Sequence, residues 1–138
     1  MSAARHPWLL LLLVAVAAPV TGCGTTDDRG QARAAVQRFF SDLRAGDGAA
    51  ACTELSEDAV KQLIQEEQAP CAQAVRRLKL APGPVVRTQV FVTNAKVDLA
   101  AGASAFLDRT PNGWKLSAVG CRPDVKPADR PYDCELEA

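Results

Sequence analysis

The chain has 138 residues, 48% of them hydrophobic and 23% charged, with 16 basic and 16 acidic side chains and a formal net charge of zero. That balance excludes a basic field for nucleic acid, and no polybasic cluster is present to read anionic lipid headgroups. A single histidine, His6, and a single methionine, Met1, leave little material for imidazole or thioether chemistry.

At the start, Arg5 and His6 precede an uncharged run from Trp8 to Ala18, which Pro19 ends. A basic start, an apolar stretch of about 7–15 residues and small residues behind it describe a secretory signal peptide over residues 1–22. The run is shorter than the roughly 20 apolar residues of a comfortable membrane span. Val20-Thr21-Gly22-Cys23 resembles a bacterial lipobox. The resemblance implies cleavage before Cys23, a diacylglycerol on its sulfur, and a mature chain held at the extracytoplasmic side of the cell membrane. Two acyl chains meet the need for two anchoring signals. Gly24 to Gly30 is short and polar, so residues 23–30 read as lipidated cysteine and flexible tether, and 31–138 as one domain.

Within that domain, Ala32, Ala35, Val36, Phe39, Phe40 and Leu43 recur at helical spacing, which predicts a helix over 31–45 with Asp28 at its start and Gly46 at its end. Asp47 is placed to cap a short helix, Gly48 to Leu55, and Ser56 to cap a third with Val60, Leu63 and Ile64 on its stripe. Pro70 suits the first position of a fourth helix, whose Cys71, Ala74, Val75 and Leu78 share a face. Pro82-Gly83-Pro84 ends the helical pattern. The period then changes to two. Strands are predicted over 85–92, 95–100, 103–109 and 114–120, the last two joined by Pro111-Asn112-Gly113, a strong hairpin signal. A proline-rich tail follows, with a brief strand expected between Tyr132 and Leu136. Helices first and strands second make an α+β domain, with the helices packed on one face of a curved antiparallel sheet of about four strands.

Cys23 is accounted for by lipid, which leaves Cys52, Cys71, Cys121 and Cys134. Export permits disulfides, and four cysteines allow three connectivities. Nearness in sequence favours Cys52–Cys71 and Cys121–Cys134, the second pinning the tail to the last strand. Zinc is not expected, because there is no CxxC spacing and no histidine in residues 23–138. The same lack of histidine removes Ser-His-Asp and Cys-His catalysis. No cofactor is implied.

The paired Phe39-Phe40, the Gly46-Asp47 turn, Ala51-Cys52, Pro70-Cys71, Gly113-Trp114, Gly120-Cys121 and Tyr132-Asp133-Cys134, in this order, resemble the NTF2-like (SnoaL-like) cone fold, and more narrowly small secreted lipoproteins of that kind from high-GC bacteria. The resemblance implies a helical cover over a bent sheet with an apolar cavity between them, and Phe39, Phe91, Phe106, Asp108 and Trp114 as its lining. Family members include ketosteroid isomerase and dehydratases, alongside many binding and dimerisation domains, so the fold does not fix the function. The isomerase type needs a pocket carboxylate with tyrosine and carboxylic acid donors. Tyr132, the lone tyrosine, lies in the tail, and the His-Asp pair of the dehydratases has no histidine to supply it. Asp47 reads as a helix cap before it reads as a base, and Asp98 as an outward residue. Arg87, Gln89 and Phe91 share one strand face. The expected function is a non-catalytic, membrane-anchored binding domain for a small apolar ligand or a protein partner. The alternatives are a weak isomerase-like enzyme using Asp108 or Asp47, and a structural envelope protein that dimerises through its sheet.

Overall fold

The computed structural model describes residues 25–124 and 131–138; the expected signal peptide, residues 1–22, and the expected lipidation site, Cys23, lie outside the described residues. Helix α1, Thr25–Arg44, is followed by α2, Gly48–Glu54, α3, Glu57–Glu67, and α4, Cys71–Ala74, which runs into a 3-10 turn at Val75–Arg77. The strands are β1, Val85–Phe91, β2, Asn94–Leu99, β3, Ser104–Thr110, β4, Gly113–Pro123, β5, Tyr132–Asp133, and β6, Leu136–Glu137. This is an α+β domain of four helices on a six-stranded antiparallel sheet.

Helix α1 starts six residues earlier than its apolar stripe suggests, so residues 25–30 are helix and not tether. The reason is local and tertiary together. Asp27 and Asp28 sit in the first turn, where the helix dipole favours carboxylates. Gln31 Nε2 donates to Asp27 Oδ2 at 2.7 Å, and Asp28 pairs with Arg109 of β3 at 2.5 Å. These contacts offset Gly30, which in a helix costs about 1 kcal/mol relative to alanine. The predicted caps hold: Asp47 accepts from the Ala50 amide and Ser56 from the Ala59 amide.

Antiparallel pairing runs β1-β2-β3-β4, and β5 and β6 both pair with β4 on its other edge. The sheet has six strands and not four because that edge of β4 needs partners for its backbone groups. Lower down the same edge, the Ser56 amide donates to Leu116 O at 2.8 Å and the Ala138 amide to Ser117 O at 3.1 Å. The tail is held there by Cys121–Cys134, while Cys52–Cys71 joins α2 to α4. Gly48 permits that second junction: a Cβ on it would meet Ala72 O at 2.1 Å.

The core lies between α1 and the inner sheet face. Ala32, Ala35, Val36 and Phe39 are fully buried against Val97, Leu107 and Leu116. Arg38 of α1 grips Glu54 of α2 through two bonds of 3.0 Å, which fixes the two helices' relative position. Phe39→Ala should cost about 3–5 kcal/mol in urea unfolding. Phe91→Ala, at a side chain 56% exposed, should change it by no more than about 0.5 kcal/mol.

Candidate functional site

The five residues expected to line one cavity fall on two faces. The β3–β4 turn closes on Thr110 opposite Gly113, which sets Arg109 opposite Trp114 and Asp108 opposite Lys115. Side chains alternate across a strand, so Trp114 and Asp108 cannot share a face. Trp114 is 4% exposed and packs inward, beneath the Arg109 guanidinium 4.8 Å from its ring centroid. Phe39 is fully buried in the same core. Phe106 and Asp108 point outward, paired with Lys96 and Asn94 of β2. Phe91, opposite Asn94, is on the outer face too. The inner space the resemblance reserves for a ligand is here occupied by Phe39, Leu63, Leu107 and Leu116, all fully buried.

A groove of about 1030 Å³ opens instead on the outside. The α2–α3 junction supplies one wall through Leu55, Ser56 and Val60, and the β3–β4 hairpin the other through Asp108, Thr110 and Lys115. The lining is mixed: apolar carbon from Leu55, Val60 and Pro111 alternates with the exposed charged residues Glu57, Asp58 and Lys61. Lys115 Nζ donates to Thr53 O at 2.5 Å across one end, tying hairpin to helix. Asp108 accepts from Asn94 Nδ2 at 2.5 Å, so its carboxylate has a fixed partner. Asp47 is taken up in its cap. Among the described residues no cluster of histidine, cysteine or carboxylate side chains could hold a metal ion.

A second polar arrangement, not anticipated from the sequence, lies on the outer face nearer the tail. Lys96 Nζ meets Asp98 at 2.9 Å, Ser104 Oγ donates to the same carboxylate at 2.7 Å, and Lys96 also lies 5.3 Å from the centroid of the Tyr132 ring. Tyr132 in turn packs edge-on against Phe106 at 5.0 Å. Partial burial pushes the Asp98 carboxyl up, but the Ser104 hydroxyl and Lys96 ammonium outweigh it and hold the group below its ordinary value. The hydrogen bond to Asp98 raises Lys96 above its ordinary value. The network is a clamp for the tail. The strand parity of Lys96, Asp98, Ser104 and Phe106 was a sequence signal for it; Tyr132 closes it only through tertiary structure.

The chain matches no protein-family model, and no curated protein or solved structure is detectably similar to it.

Two outcomes follow from this geometry. A carboxyl with a depressed folded-state pKa stabilises fully above its unfolded value of about 3.9 and loses that contribution as pH falls through the folded value. Acid unfolding of the wild type below about pH 4 should therefore be steeper than that of Asp98→Asn, when followed by far-UV circular dichroism. Val92, in the β1–β2 turn, has φ 34° and is 88% exposed. A β-branched residue is strained there and glycine is not, so Val92→Gly should raise stability by about 1 kcal/mol in thermal unfolding.

Proposed function

We propose that this chain is a membrane-anchored extracytoplasmic lipoprotein whose NTF2-like domain is a non-catalytic binding module. The lipobox-like Val20-Thr21-Gly22-Cys23 behind an apolar run supports the anchor, and two disulfides suit an exported domain. Helices followed by an antiparallel sheet support the NTF2-like reading. The observation that carries the binding role is the pairing of a filled interior with a roomy outer groove. The space between α1 and the sheet is closed by Phe39 and its neighbours, while about 1030 Å³ opens between the α2–α3 junction and the β3–β4 hairpin. A cleft of that volume, whose lining mixes apolar carbon from Leu55, Val60 and Pro111 with polar and charged side chains, is roomy enough for a small molecule. It takes a small apolar ligand, or an apolar side chain presented by a protein partner.

Native mass spectra of the full chain, purified from membranes of an exporting host, test this. The wild type should carry a reproducible additional mass or a bound partner chain. Ser117→Trp, which fills the groove from the outer face of β4, should lose it while keeping its unfolding midpoint within a few degrees. A bare mass in both proteins would remove the binding role. Turnover of a small substrate that disappears in Asp108→Asn would replace it with the enzymatic one.

A further inference from the structure

The most exposed large apolar side chain described, Val92 at 88%, sits beside Phe91 at 56%, at the tip of the β1–β2 hairpin. Two contacts tie that tip to the place where α1 begins. The Arg109 amide donates to Thr93 O at 2.7 Å, and the Arg109 guanidinium pairs with Asp28 at 2.5 Å. The other end of α1 is equally well placed: Phe40 and Arg44 border the same cavity as Gly83, Pro84 and Val85. Helix and strand therefore run side by side in opposite directions. Asp28 to Phe40 spans about 18 Å of helix, and Val85 to Phe91 about 20 Å of strand, so the start of α1 is level with the hairpin tip. Thr25 lies one turn further out, and only Gly24 separates it from Cys23. Whatever apolar matter precedes the helix, lipid on Cys23 or the Trp8–Ala18 run, enters the domain at this end.

Val92 is doubly unfavourable in water. Its backbone is in a region that favours glycine, and its side chain is open to solvent. Strain of this kind at an exposed tip points to a role outside folding. Close to it Asp28 is paired with Arg109, while Asp108 accepts from the neutral amide of Asn94 and keeps its charge.

We infer that the Phe91–Val92 hairpin tip is the domain's seat on the membrane, inserted at the headgroup–acyl boundary of the bilayer beside the lipidated Cys23. The inference rests on the anchor reading above. Because the inserted side chains are apolar, the contact does not need anionic lipid. The lipid retains the protein; the tip sets its orientation. The β3–β4 turn, whose Pro111 and Asn112 border the groove, lies at the same end, so the groove opens next to the bilayer surface.

The test uses the full chain, purified from membranes and reconstituted in phosphatidylcholine vesicles brominated high on the acyl chains. Difference fluorescence against the parent chain is recorded for Val92→Trp and for Ile64→Trp, a site on α3 that is 40% exposed. The Val92→Trp signal should be blue-shifted and mostly quenched in vesicles that contain no anionic lipid; the Ile64→Trp signal should be untouched. A Val92→Trp signal that escapes quenching in vesicle-bound protein overturns the seat. So does one buried in a dimer, seen as a concentration-dependent sedimentation shift, since a second copy would then cover the tip. Fractionation of wild type and Cys23→Ser reports the anchor separately. If the wild type is already soluble, the anchor reading fails. The seat then stands only if vesicles added to the soluble chain still quench Val92→Trp, and falls if they do not.

Discussion

Ala32 and Ala35 give the inner side of α1 very little side-chain volume, and both are fully buried. A helix with small residues on its contact face can settle close to what it covers, and Phe39 fills the remaining space over the sheet. Close packing between α1 and the sheet is the constraint from which the rest of the molecule follows. It uses up the interior. A cone fold that holds a ligand needs its helices to stand off from the sheet, and here they do not. The open space lies on the outside instead, where the α2–α3 junction meets β4.

That junction depends on the same helix. Arg38 on the outward side of α1 holds Glu54 at the end of α2, and Leu55 and Ser56 then reach the edge of β4 at Leu116. The groove is the space left between this docked segment and the β3–β4 hairpin, bridged at one end by Lys115. Along β4, from Leu116 to Pro123, the second edge is occupied by Ser56, Ala138, β6 and β5, so the described sheet ends in the long strand β1 on one side and in the two-residue strands β5 and β6 on the other. The two disulfides tie the short α4 to α2 and the tail to β4.

The molecule has two unlike ends along the direction of α1. One gathers the start of the helix, the β1–β2 tip and the β3–β4 turn. The other gathers the end of α1, the Pro82–Pro84 connection and the start of β1. Lengthwise packing of helix on strand makes this polarity unavoidable.

Periodicity within the sequence was enough to determine the α+β class, the caps at Asp47 and Ser56, four strands in nearly their observed places, and the inward stripe of α1, because each depends on neighbours within one or two turns. The nearness of Cys52 to Cys71 and of Cys121 to Cys134 also pointed to the observed pairs. Tertiary structure alone decided what the outer face does. The register of β3 against β4 sent Phe106 and Asp108 away from Phe39 and Trp114 and dissolved the expected pocket, since a strand's two faces are exclusive and a turn one residue longer would exchange them. It also decided where α1 starts, because the partner of Asp28, Arg109, is far away in sequence and is brought close only by folding. The groove and the shared end of Cys23's neighbour helix and the Phe91–Val92 tip belong to the same class. They arise where separately legible elements meet, and local sequence carries no record of that meeting.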